Sequence, residues 1–310
     1  MSDCFLKSCQ CLESWCQGIV GFSAIHLPSM EKVGYNSEQH FDLCSTYKIP
    51  IAVTLLQQVG SGKLDLNTMI EIHDYNLRIG SATSPLGQLN YDSPVNMSVL
   101  NLLQIMLQDS CNSATDIILD LIGGPPAVMD ALTQANIKDL RVDRSVLELL
   151  ASGEGIAPAP PPACTIAQYQ TLKHQVTPET KAAAIVQFKQ DIRDRGSPEA
   201  MCQLLALIQN HVIPKEPYAD LMLRIMQRCK AGSGRLMGLL PPQAKVSHKT
   251  GTDMDLGEVS DVGVIYLPDS MGQIVIAVYV AEMKQSKDKA ERVIAEIARS
   301  VYDYFLFKAV

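Results

Sequence analysis

Ser45 and Lys48 stand three residues apart in Phe41-Asp42-Leu43-Cys44-Ser45-Thr46-Tyr47-Lys48. In a helical turn that spacing puts both side chains on one face. A hydroxyl beside an amine is the minimum equipment for nucleophilic acyl transfer: the oxygen attacks a carbonyl carbon and the amine takes its proton. Pro50 follows, with an apolar run over 51–56. Proline is tolerated early in a helix, where its missing N–H breaks no hydrogen bond. Ser45 is therefore expected at the N-terminus of a buried helix, facing the positive end of its dipole. By itself a Ser-x-x-Lys is weak, because chance copies are common on solvated helices.

Two later stretches add chemistry. Ser110-Cys111-Asn112 lies between two helical patterns, and His248-Lys249-Thr250-Gly251-Thr252 precedes strand-like sequence. Ser110 and Asn112 also suit the N-cap of a helix over 113–122, a role those residue types often fill. Both roles are compatible. On a strand, residues 250 and 252 share one face and Lys249 points to the other.

In this order the stretches resemble the S-x-x-K, S-D-N and K-T-G motifs of class A serine β-lactamases and penicillin-binding proteins. Further resembling segments are Ile122-Gly123-Gly124-Pro125, Arg141-Val142-Asp143-Arg144, the run from Arg235 to Pro241 and Asp261-Val262-Gly263. The likeness runs from about residue 12 to the end and is interrupted around 151–190. It implies a β-lactam amide opened through an acyl-enzyme on Ser45, with Lys48 as base and Ser110 passing a proton to the leaving nitrogen. Lys48 can act so only if burial and a nearby cation, Lys249, lower its pKa from the free value of about 10.4. By the same resemblance Asn112, Lys249, Thr250 and Thr252 bind substrate, with Arg235 as a candidate second cation or a structural ion pair. The backbone N–H groups of Ser45 and Thr252 would form the oxyanion hole.

The departures are as informative. Cys111 stands where the family has aspartate, a weak thiol donor replacing a carboxylate. Aligning Arg141-Val142-Asp143-Arg144 with the family loop puts Val146 in place of the glutamate, and Leu150 in place of the asparagine, that together hold the deacylating water. Valine accepts no proton, so the acyl-enzyme is expected to form and clear slowly. Glu148 and Glu154 are candidate substitute bases, and Asp143 with Arg144 is expected to brace the loop by an internal salt bridge. The alternative is a penicillin-binding or sensing protein that is acylated without turnover. A catalytically dead scaffold that uses the proline-rich stretch for a partner has no need for Ser45, Lys48, Ser110 and Lys249 together.

The rest of the chain must position these groups. Its 310 residues are 47% hydrophobic, enough for a large core. A net charge of −7 argues against nucleic acid or an anionic membrane as the main partner. No apolar run is long enough to span a membrane, and the N-terminus lacks the apolar stretch of a signal peptide. The family points to the periplasm or secretion; the nine cysteines, an odd number, also fit free thiols in the cytoplasm. Cys9-x-Cys11 lacks zinc-pair spacing, so neither metal nor cofactor is expected, and a monomer suffices.

Periodicity predicts helices over 3–17, 98–107, 113–122, 127–134, 178–192, 198–210, 218–230 and 288–307. Strands are predicted over 18–26, 31–36, 244–247, 259–267 and 274–281, with an extended connection over 64–72. Proline density over 151–163 predicts an extended surface segment inside an insertion of about 151–190, either functional or a tolerated excursion. The fold class is α+β: an antiparallel sheet from both chain ends (1–45 and 215–310) flanked by helices, plus an inserted all-α domain (46–214), with the reacting residues at the seam.

Overall fold

The structure is a computed structural model and describes residues 3–79, 85–89 and 95–308. Helix α1 (Asp3–Cys16) leads into the hairpin β1 (Ile19–His26) and β2 (Glu31–Tyr35). The short β3 (Phe41–Asp42) and a single 3-10 turn, Cys44–Tyr47, run into α2 (Lys48–Gly60). A small hairpin of β4 (Met69–Ile72) and β5 (Val95–Ser98) precedes α3 (Val99–Gln108), α4 (Asn112–Ile122) and α5 (Gly124–Gln134). Next come α6 (Val146–Glu154), α7 (Ile166–Gln175), α8 (Pro178–Gln190) and β6 (Arg195–Gly196), which pairs with β3. Helices α9 (Pro198–Gln209) and α10 (Tyr218–Met226) return the chain to β7 (Lys245–Asp253), β8 (Glu258–Tyr266), β9 (Gln273–Ala281) and α11 (Lys287–Lys308).

The main sheet has five antiparallel strands in the order β2-β1-β9-β8-β7, so both chain ends build it, as the α+β reading requires. Its register follows the strand period of two. Along β9, Ile274, Ile276, Val278 and Val280 pack with Val293, Ile294, Ile297 and Val301 of α11. The intervening Val275, Ala277 and Tyr279 join the other core, with α2, α3, α4 and α9. Helix α2 is buried on all sides, from Ile49 to Leu56, as an all-round apolar helix must be. β7 is an edge strand of this sheet. Its alternate backbone groups therefore have no strand partner and face the helical half.

Three expectations need correction. Residues 151–154 are the end of α6, and the insertion continues as α7 and α8 after an irregular stretch. Thr165 and Gln168 form a capping box, and Thr177 caps a helix with proline in its first turn. The prolines at 158–162 fall in the irregular stretch between α6 and α7, where the extended expectation holds, and α8 matches the helix expected over 178–192. Leu147, Ala151, Ile156, Cys164 and Tyr169 give the insertion its own small core. The predicted 218–230 helix stops at Met226, and the strand predicted over 244–247 extends through Lys249 to Asp253. No helix among the described residues is long and apolar enough to cross a membrane. Cys9, Cys11, Cys16, Cys44, Cys111, Cys164, Cys202 and Cys229 are all free thiols.

Candidate active site

Ser45 lies in the Cys44–Tyr47 turn, one turn before α2 begins at Lys48. Residues three apart in a helical turn share a face, and this puts Ser45 and Lys48 on the same side of the chain. The turn is entered through Cys44 at φ +45, a left-handed conformation that non-glycine residues seldom adopt. Asp42 holds it there, accepting the Cys44 N–H at 2.7 Å. Gly251 on β7 backs directly onto this turn. A Cβ there would sit 2.9 Å from Cys44 Cβ and 2.4 Å from Ser260 Oγ.

Lys48 and Lys249 are both fully buried. Lys48 Nζ donates to Ser110 O at 2.7 Å, Ser110 Oγ at 3.2 Å and Asn112 Oδ1 at 2.8 Å. Lys249 Nζ donates to the same Ser110 Oγ at 2.9 Å and to Thr250 O at 2.8 Å. One hydroxyl thus bridges two amines from different halves of the molecule. Burial drives the Lys48 amine well below its ordinary pKa, and the positive Lys249 adds to the effect. Lys249 is brought down to about 8, again chiefly by burial. The Lys48 shift favours a neutral amine, as a base requires, while a pKa of about 8 leaves Lys249 mostly protonated at neutral pH.

Ser110 presents its groups through another left-handed residue, at φ +55. The N-cap of α4 is Cys111, whose sulfur accepts the Ala114 N–H at 3.4 Å. The thiol thus fills the capping role that the sequence offered to Ser110 or Asn112, and leaves both of those side chains turned toward the lysines.

Thr252 is held by Arg235. Arg235 Nη2 donates to Thr252 Oγ1 at 2.7 Å, and Nη1 donates to Gly251 O at 2.8 Å and Ser260 O at 2.7 Å. Nε pairs with Glu291 at 3.1 Å, and the side chain is 2% exposed. Arg235 is therefore a structural ion pair that supports β7 rather than a free second cation for a substrate.

The loop departs furthest. Val146 is the first residue of α6, and Asp116 accepts the N–H groups of Val146 at 2.7 Å and Leu147 at 3.2 Å. That carboxylate satisfies donors a helix start leaves open and fixes Val146 in place. Asp116 also pairs with the buried Arg78 at 2.7 Å. Glu148 is not turned to the site: its carboxylate accepts from the Ser145 N–H at 2.8 Å and the Ser145 hydroxyl at 2.9 Å in a capping box. Glu154 pairs with Lys173 and Lys181. The expected Asp143–Arg144 bridge is replaced by Arg141–Asp143 and by Arg144 with Asp191 and Asp194.

A cleft beside Ser45 is lined by Asp42, Tyr47, Val146, Leu149, Leu150 and Phe188, together with Thr252 and Asp253. Asp42, Asp116, Phe188 and Asp253 went unrecognised in the sequence. Only Asp116 left a signal there, a carboxylate inside the otherwise apolar face of α4.

A family model described as the beta-lactamase enzyme family matches residues 7–305. The chain belongs to the beta-lactamase enzyme family. Beta-lactamase VEB-1 of Pseudomonas aeruginosa is 27% identical over 297 residues, which cover 93% of this chain and 86% of that protein. The extended-spectrum beta-lactamase PER-1 of the same species is 26% identical, over 93% of this chain and 83% of its own. Among solved structures, a class A β-lactamase described as the last common ancestor of Gram-negative bacteria is 26% identical. It aligns with TM-score 0.76 over 96% of this chain and 98% of that one. A beta-lactamase from Chitinophaga pinensis has the same fold, with TM-score 0.79 at 24% identity over 97% of this chain and 99% of that one. In this beta-lactamase family chain Lys48 donates to Ser110 and Asn112, and Lys249 donates to the same Ser110 hydroxyl.

Proposed function

We propose that this chain opens the strained amide of a β-lactam on Ser45 and releases the acyl group slowly. The observation that carries this reading is Ser110 Oγ, which accepts from both Lys48 Nζ and Lys249 Nζ. Ser45 Oγ attacks the lactam carbonyl while neutral Lys48 takes its proton. Ser110, bonded to Lys48, passes a proton to the nitrogen as the C–N bond breaks. The N–H groups of Ser45 and of Thr252 on the sheet edge receive the developing oxyanion. Lys249, with Thr250 and Thr252, holds the substrate carboxylate. Asn112, anchored by donating from Nδ2 to Ile79 O at 3.0 Å, orients Lys48 and the substrate amide.

Hydrolysis then needs a water deprotonated beside the ester. The residues on that side are Val146, Leu149 and Leu150, with Glu148 tied to Ser145. The second step is therefore slow, and the reading of a protein that stays acylated gains support from the same wall. Every group in this scheme comes from one chain, so a monomer suffices. A periplasmic or secreted location goes with the reading, is supported by the family resemblance, and is tested by cell fractionation.

Intact-protein mass spectrometry after exposure to a penicillin tests the scheme. We expect a mass gain equal to one whole β-lactam, long-lived, and absent in Ser45→Ala. No adduct, or an adduct that survives Ser45→Ala, overturns it.

A further inference from the structure

Two carboxylates line the Ser45 cleft from the strand side: Asp42 on β3 and Asp253 at the end of β7. From the helix side come Val146, Leu149 and Leu150 of α6 and Phe188 of α8. Neither carboxylate has an ion-pair partner among the described residues. Asp42 is 5% exposed and accepts the Cys44 N–H. Asp253 accepts the N–H groups of Asp255 and Leu256 at 3.0 and 3.1 Å. Arg195 faces Asp42 across the β3–β6 pair, but its Nη2 donates to Lys189 O at 2.9 Å. Burial raises Asp42 to about 6, which still leaves it ionised at neutral pH. A buried anion with no cation in salt-bridge contact is costly, and a ligand that brings one lowers that cost.

Phe188 makes the insertion part of this cleft. Its ring is buried and lies 5.0 Å under the Arg144 guanidinium, which is itself paired with Asp194 and Asp191. Lys181, on the same helix, reaches Asp255 in the β7–β8 turn at 3.1 Å and Glu154 at 3.2 Å. The inserted helices are thereby fastened to both sides of the opening.

We infer that the cleft selects β-lactams whose amide-side group is an apolar, ring-sized body ending in a protonated amine. The inference rests on the proposed acylation of Ser45. In that scheme the substrate carboxylate goes to Lys249 and Thr250, which do not line this cleft, with Thr252 at its border. Asn112, which takes the substrate amide, does line it. The group on the other side of the amide therefore meets Phe188, Leu149 and Leu150 with its body and Asp42 and Asp253 with its end. Charge-assisted contacts of this kind separate two otherwise matched ligands by about tenfold.

The test compares a phenylacetyl penicillin with its aminomethyl-substituted counterpart, whose amine stays protonated at neutral pH. Rates of adduct formation on Ser45 are read by intact-mass time courses. We expect the amine-bearing probe to react about tenfold faster. Asp253→Asn and Asp42→Asn each lower that ratio toward one. Asparagine keeps the oxygen that accepts the local N–H groups, and either variant alone suffices if the other does not fold. Phe188→Ala slows both probes and leaves the ratio in place. Equal rates in the parent protein, or a ratio unchanged in both asparagine variants, overturn the inference while leaving acylation standing. Failure of both probes to modify Ser45 removes the proposed function, and this inference with it.

Discussion

On one side of Ser45, Lys48, Ser110, Asn112 and Lys249 are linked by hydrogen bonds of 2.8 to 3.2 Å. In the cleft beside Ser45, α6 offers only the hydrocarbon side chains of Val146, Leu149 and Leu150. Forming an acyl-enzyme and hydrolysing it both need a base, but on different faces of the same carbonyl. The first face is equipped and the second is not. The contrast is not one of general disorder, because Asp116 pins the backbone of Val146 as firmly as Asn112 holds Lys48. In the proposed scheme, what is missing is one carboxylate on a prepared frame.

The strongest test of that contrast supplies the carboxylate. Val146→Glu should speed loss of the adduct by about a hundredfold, the usual worth of a positioned base, measured by following intact mass after excess β-lactam is removed. An unchanged lifetime would show that the two faces differ by more than one side chain. Arg235→Ala comes next. Gly251 O, Ser260 O and Thr252 Oγ1 lose their common donor, and a loss of about 3 kcal/mol in urea unfolding is expected. Retained stability with lost acylation would return Arg235 to the substrate-binding set.

The pH profile of acylation sharpens the equipped face. The rate should rise with pH as Lys48 loses its proton and fall as Lys249 loses its own near about 8. In Lys249→Ala the positive neighbour is gone, so the Lys48 pKa climbs. The rising limb should then move to higher pH and the falling limb disappear. A rising limb that stays in place would mean that Lys249 does not tune the base. The smallest expected effect is that of Glu148→Ala. It should cost about 1 kcal/mol of stability through the lost capping box and leave the adduct lifetime unchanged. A longer lifetime would make Glu148 the substitute base after all.

The legible parts of the site were those fixed by local geometry. Ser45 and Lys48 share a face because they are three residues apart, and Ser110 and Asn112 flank one helix start. The sheet could be read because β9 is a near-continuous apolar run bounded by turn residues, as a strand buried on both faces requires. The rest depended on long-range pairing. Arg144 finds Asp191 and Asp194 across the insertion rather than the adjacent Asp143, and Arg235 finds Glu291 on the last helix. The left-handed Cys44 and Ser110 are imposed by the packed halves and not by their own preferences. Within the insertion the helix over 178–192 was legible, but α7 was missed because the prolines before it drew attention from Thr165-x-x-Gln168, which starts a helix in the ordinary way.

Gly251 carries a consequence for how the two halves meet. Because it has no side chain, the serine turn can lean against the strand with nothing in between. A single methyl group there would act as a wedge and move the amide hydrogens of residues 45 and 252 apart. Every reacting atom would survive that change, yet the cradle for negative charge would no longer fit one oxygen.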